Sequence, residues 1–220
     1  KIDRGALVSI ATGKTLTISG SFDAGMYQIF SCVGTGAVSI TGNFGTVYPE
    51  WFGLSDSATG ANNQLYLTSA IAAAPSGGKI NFEAGKTYEV SGLWTLNKAI
   101  TVDGYGTELY FSTDDDNQGI VVTASNVTIQ GLEIEGPGKS DLNTTQIGIS
   151  ATGTNNHPAA PTFITGLKIK DCKIHDFGRQ GIVGSYVENF DISHNEVYDH
   201  FYAGITIVSG RNGIIDNNNV

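Results

Sequence analysis

Gly166-Leu167-Lys168-Ile169-Lys170-Asp171-Cys172-Lys173-Ile174 is followed by Asn189-Phe190-Asp191-Ile192-Ser193-His194-Asn195-Glu196-Val197 and by Asn212-Gly213-Ile214-Ile215-Asp216-Asn217-Asn218-Asn219-Val220. These are three versions of one unit. Ile174, Val197 and Val220 stand 23 residues apart, as do Ile169, Ile192 and Ile215. Cys172, Asn195 and Asn218 keep the same interval, and Gly181-Ile182 returns as Gly204-Ile205. A fixed period of this length means stacked units. The unit shows no helical periodicity, only short alternating apolar runs broken by Gly, Asn and Asp, which is the pattern of strands and tight turns. One unit cannot hide its apolar face alone, so it lies on a copy of itself. The reading is all-β: a single-stranded parallel β-helix with strands roughly 4.8 Å apart. Cys172, Asn195 and Asn218 are expected to form an inward ladder at a turn, where Asn amides satisfy the backbone and one another.

Working outward, Leu16-Thr17-Ile18-Ser19-Gly20-Ser21-Phe22 recurs 22 residues later as Val38-Ser39-Ile40-Thr41-Gly42-Asn43-Phe44. These strands are either the first coils or a small β-layer packed against them. Val47-Tyr48-Pro49-Glu50-Trp51-Phe52-Gly53 reads as a rigid aromatic junction with a large area to bury. A helix is expected from Asn63 to Ala74, capped by Asn62 and stopped by Pro75-Ser76-Gly77-Gly78, with Leu67, Ala70, Ile71 and Ala74 on one face. It is expected to cover the raw N-terminal end of the solenoid. The division is therefore 1–53 for the N-terminal segment and junction, 54–78 for linker and capping helix, and 79–220 for the coils. Ile134 to Ile174 spans 40 residues, so loops are expected to leave the coil around 136–143 and 152–161. The strand at Val220 has nothing above it, and further coils are expected beyond it.

Composition fits this architecture. Glycine, at 29 residues, is about twice its usual ~7 % share, and proline numbers only 5. The net charge of −9 argues against nucleic acid or an anionic membrane surface as partner. No apolar run approaches the ~18 residues of a membrane span, and no signal peptide opens the sequence. Cys32 and Cys172, on different coils, are expected to be unpaired small buried groups.

The junction, a helix, and then Gly77-Gly78-Lys79-Ile80-Asn81-Phe82-Glu83-Ala84-Gly85-Lys86-Thr87-Tyr88 resemble the entry of pectate-lyase-like right-handed β-helix proteins, among them bacteriophage tailspikes and polysaccharide depolymerases. The resemblance implies a right-handed solenoid, a polysaccharide or bacterial surface glycan as partner, an extracellular or virion location and, for tailspikes, a parallel homotrimer. It departs where many relatives carry Asp-Gly…Asp-Asp-Thr and this chain has Asp56-Ser57-Ala58-Thr59-Gly60-Ala61-Asn62-Asn63. The superfamily has no single catalytic motif, so no catalytic residue is carried over.

Chemistry is expected at the turn after Ile174. There His175-Asp176-Phe177-Gly178-Arg179 lies under Tyr198-Asp199-His200-Phe201-Tyr202. Asp176 and Asp199 fall in one column roughly 5 Å apart, close enough to raise one apparent pKa. That spacing suits the acid and nucleophile of a retaining glycosidase, or a shared Ca²⁺. Asp176, Asp199 and His200 are the candidate catalytic groups; Arg179, Tyr202, Tyr198 and His175 are the candidate substrate-binding groups. Asp171, His194 and Asn217 share another column, read as solvated edge residues. Asp114-Asp115-Asp116 could ligate Ca²⁺ but reads as a solvated loop. His157 carries little weight alone. Asn126-Val127-Thr128 and Asn143-Thr144-Thr145 fit a glycosylation pattern that means nothing in a bacterial or phage protein. The function expected is a polysaccharide hydrolase or lyase. The alternative is a non-catalytic fibre segment or glycan-binding rod.

Overall fold

Alternating apolar residues on short strands bury one face only if the next strand repeats the alternation in phase, and the computed structural model shows that repetition level by level. It describes residues 1–41, 45–113, 119–138 and 146–220. Each coil has three main legs. On the first, Val47, Ile80, Val102, Ile129, Ile169, Ile192 and Ile215 pair in parallel register. The second stacks Tyr88, Leu109, Ile134, Ile174 and Val197. On the third, Trp94, Ile120, Ile149, Ile182 and Ile205 are in file. Nearly all of these side chains are fully buried, and together they form the core of a parallel β-solenoid.

The corners follow from side-chain chemistry. Asp171, His194 and Asn217 turn with φ of 52°, 59° and 51°, a left-handed conformation that short polar side chains tolerate best. The next position is the ladder. Cys172 N–H donates to Asn195 Oδ1 at 3.0 Å, and Asn195 N–H donates to Asn218 Oδ1 at 3.0 Å. Asn195 Nδ2 donates back to Ile169 O at 2.9 Å, and Asn218 Nδ2 to Ile192 O at 2.8 Å. Each side-chain amide thereby satisfies a backbone N–H and a backbone carbonyl of the coil below it.

The N-terminal strands are coil-like. Val8–Ile10 pairs with Phe30–Cys32, and Thr15–Ile18 with Ala37–Ile40, both parallel. The chain joins the main stack where Thr46–Val47 pairs with Gly78–Asn81. At the junction, Tyr48, Trp51, Phe30, Phe52 and Phe22 interlock edge and face. Glu50 is buried among them; its Oε1 accepts from Glu83 N–H and from the Tyr88 hydroxyl, each at 2.9 Å. Burial pushes its pKa up.

The helix runs Gly60–Ala73, three residues earlier at its start than expected. Thr59, not Asn62, is the cap, accepting from Asn62 N–H at 3.4 Å. Asn63 is drawn into the interior instead, bonding Ser55 and the Glu89 carbonyl. The expected face, Leu67, Ala70, Ile71 and Ala74, is buried. This helix covers the first main coil through Thr87–Val90 and Trp94–Leu96, and it also packs on Ala37–Ile40, so it lies between the two sets of strands. Cys32 and Cys172 are both unpaired. The excursion after Thr152 is closed by mutual backbone hydrogen bonds of 2.8 Å between Thr154 and Thr162. Asp114-Asp115-Asp116 and Asn143-Thr144-Thr145 lie outside the described residues.

Candidate functional site

On the second leg the residues flanking the buried file point outward, and there the sequence stops repeating. One outward file reads Thr87, Glu108, Glu133, Lys173, Glu196; the other reads Glu89, Tyr110, Glu135, His175, Tyr198. Alternation on a flat parallel sheet thus crowds five glutamates, a lysine, a histidine and two tyrosines onto one surface.

His175 is the hub. Its Nδ1 lies 2.7 Å from Asp176 Oδ2 and its Nε2 3.0 Å from Glu133 Oε1. A neutral imidazole donates from only one nitrogen, so both contacts are hydrogen bonds only in the doubly protonated ring. Tyr198 stacks flat on the imidazole, with ring centres 5.0 Å apart and planes 7° from parallel. Lys173 Nζ pairs with Glu133 and sits 5.8 Å from the Tyr198 ring centre. Partial burial pushes the Glu133 pKa up, but the Lys173 and His175 bonds outweigh it, and the carboxyl is held below its usual range.

Glu135 behaves oppositely. A hydrogen bond that protonated Glu135 donates to the Glu108 carboxylate, then burial, then the Glu108 charge push it up to about 7. Two adjacent carboxyls share a proton more easily than they both ionise. Glu135, His175 and Asp176 each place a ligand atom within 4.8 Å of the others. As a donor set this fits Ca²⁺ poorly, because Ca²⁺ takes six to eight oxygens and here one donor of three is an imidazole whose nitrogens already face carboxylates.

The sequence candidates divide. His175, Asp176 and Tyr198 meet at this surface. Asp199 follows Tyr198 as Asp176 follows His175, one coil up, exposed and with the same left-handed turn (φ 53° and 59°). Arg179 and Tyr202 are adjacent in file, Tyr202 N–H donating to Arg179 O at 2.8 Å, and both side chains are exposed at the next corner. His200 turns inward. Its ring stacks on Phe177 at 6.1 Å and its Nε2 donates to Ile174 O at 3.2 Å, while burial pushes its pKa down. Gly181 makes the room, since a Cβ there would come within 2.6 Å of the His200 ring.

Glu108, Glu133, Glu135 and Lys173 were not singled out in the sequence. Their signal is the Glu-Ile-Glu of Glu133–Glu135 beneath Lys-Ile-His of Lys173–His175, aligned by Ile134 and Ile174. A cleft of about 340 Å³ opens beside this surface along the Gly131, Asp171 and His194 corner, walled by Glu133, Lys173 and Glu196.

A family model described as "right handed beta helix region" matches residues 58–220. The chain belongs to this family. Among solved structures, this β-helix chain is similar to the Dettilon tailspike protein, with a TM-score of 0.40 and 11 % identity over 74 % of this chain. That alignment covers 46 % of the tailspike chain, so the β-helix chain spans less than half its length. No helix among the described residues is long and apolar enough to cross a membrane.

Proposed function

We propose that this β-helix chain is a polysaccharide depolymerase that hydrolyses a bacterial surface glycan outside the cell or on a virion. The observation that carries the reading is geometric: the Glu135 carboxyl, with its pKa pushed up to about 7, lies within 4.8 Å of an Asp176 carboxylate oxygen on a half-exposed, tyrosine-flanked surface. Retaining glycosidases hold acid and nucleophile about 5–5.5 Å apart. In this reading Glu135 protonates the glycosidic oxygen as the bond to the anomeric carbon breaks. Asp176, oriented by His175, takes that carbon from the opposite face. Water then releases the sugar, returning its proton to Glu135. Tyr198 and Tyr110 offer flat apolar faces, and Arg179 and Tyr202 offer donors further along the chain of sugars.

The test is to incubate the protein with capsular polysaccharides and follow reducing ends together with absorbance at 235 nm. Hydrolysis raises the first alone; a rise in both indicates a lyase. Glu135→Gln and Asp176→Asn should each lower turnover by about 10²–10⁴-fold at unchanged thermal stability. Turnover should also fall as pH climbs past about 7, where Glu135 loses its proton. Unaltered turnover in both variants sinks the mechanism. The engagement of Asp176 by His175 favours a second reading, a rod that binds glycan without cleaving it. Binding with no reducing ends would select that one.

A further inference from the structure

Among the described residues, eleven other than glycine have a left-handed backbone, and nine of them are Asn, Asp, His or Ser. The exceptions are Tyr105 (φ 51°) and Tyr186 (φ 51°). For a bulky side chain this conformation is strained, and strain retained at an exposed position points to function. Tyr186 has a packing reason, its ring meeting Phe163 edge-on at 6.0 Å. No ring among the described residues pairs with Tyr105, which is 53 % exposed. Its hydroxyl receives a bond from Asn81 Nδ2 at 3.4 Å, and the nearby Asp103 carboxylate pushes its pKa up.

Tyr105 borders a cleft of about 290 Å³ lined by Met26, Tyr48, Asn81, Phe82 and Ala84. Its chain neighbour Gly106 lines the larger cleft that runs to Glu133 and Lys173. The two clefts are therefore bordered by neighbouring residues of one corner file, which continues through Gly131, Asp171 and His194. Flat or apolar walls with an amide and a carboxylate at one edge are what a sugar ring needs: faces for its C–H groups, and partners for its hydroxyls.

We propose that Tyr105, with Tyr48, Met26 and Asn81, forms a saccharide subsite at the N-terminal end of this groove, holding glycan without cleaving it. The ligand class rests on the reading of the adjoining site. A glycan engaged at both places spans the groove, so long chains bind better than short ones.

The experiment uses the full chain carrying Glu135→Gln, which removes cleavage, and capsular polysaccharide fragments sorted by length. Long fragments should bind more tightly than short ones. Adding Tyr105→Asn should weaken long-fragment binding about tenfold, the value of one lost aromatic contact, and leave short-fragment binding unchanged. Asn adopts the left-handed turn more readily, so the melting temperature should hold or rise, and Tyr105→Phe should retain most of the affinity. Unchanged long-fragment affinity in Tyr105→Asn overturns the subsite, as does a lowered melting temperature with unchanged affinity. Turnover lost in Glu135→Gln together with that null result fells the subsite alone. Length-dependent, Tyr105-dependent binding with no turnover in the parent chain supports the subsite and fells the hydrolase. Binding of no fragment by either protein overturns both.

Discussion

Strand Lys173–His175 turns Ile174 inward and Lys173 and His175 outward, and its two faces follow different rules. Inward, Leu109, Ile134, Ile174 and Val197 succeed one another as variations on a single aliphatic volume. Outward, Tyr110, Glu135, His175 and Tyr198 occupy equivalent backbone positions with no two neighbours alike. The backbone environment is the same at every level, so only packing constrains the inner file. The outer file is released from packing, and its departures from repetition mark where charge and hydrogen bonding have been set individually. Repetition here reports architecture; its interruption reports chemistry.

Three substitutions break or sharpen that contrast. Ile174→Ala should be the most damaging to stability, about 2–5 kcal/mol by chemical denaturation, because a fully buried aliphatic group leaves a cavity between two tight neighbours. His175→Ala, one residue away, should cost far less stability while abolishing turnover. If both cost the same, the two faces are not distinct. Asn195→Ala should come next at about 1–3 kcal/mol, since it strands Cys172 N–H and Ile169 O inside the stack. The smallest effect is a pH dependence. Glu135 carries a folded-state pKa raised from 4.5 to about 7, so between those values the folded chain binds more protons than the unfolded one. Its contribution to stability is full below about 4.5 and declines as pH rises through 7. Melting curves of Glu135→Gln should lack that decline; an identical slope in both proteins would show that the pair with Glu108 does not hold the proton.

Much of the inner face was legible in advance. The 23-residue spacing placed Ile174 under Val197 and Cys172 under Asn195 and Asn218 because the same 23-residue coil repeats. The outer face was harder to read. Comparing segments at one interval finds Asp176 beneath Asp199. It cannot find Glu135 beneath His175, because the coil between them takes 40 residues. Nor does spacing say which way a corner residue points. His200 looked equivalent to its candidate catalytic neighbours, yet the glycine at 181 leaves an interior space that the imidazole fills. The helix start was missed for a similar reason: Asn63 answers to Ser55 and Glu89, distant partners that override a local capping preference.

After strand Ile147–Thr152 the chain leaves the coil and returns in phase, Lys173–His175 lying on Glu133–Glu135. The segment beyond Thr152 is pinched shut where Thr154 and Thr162 bond each other. A neck of that kind isolates the rod mechanically from whatever hangs outside it. The solenoid therefore has a natural port, where a foreign peptide or a longer recognition arm can be spliced in and carried while the coils above and below keep their alignment.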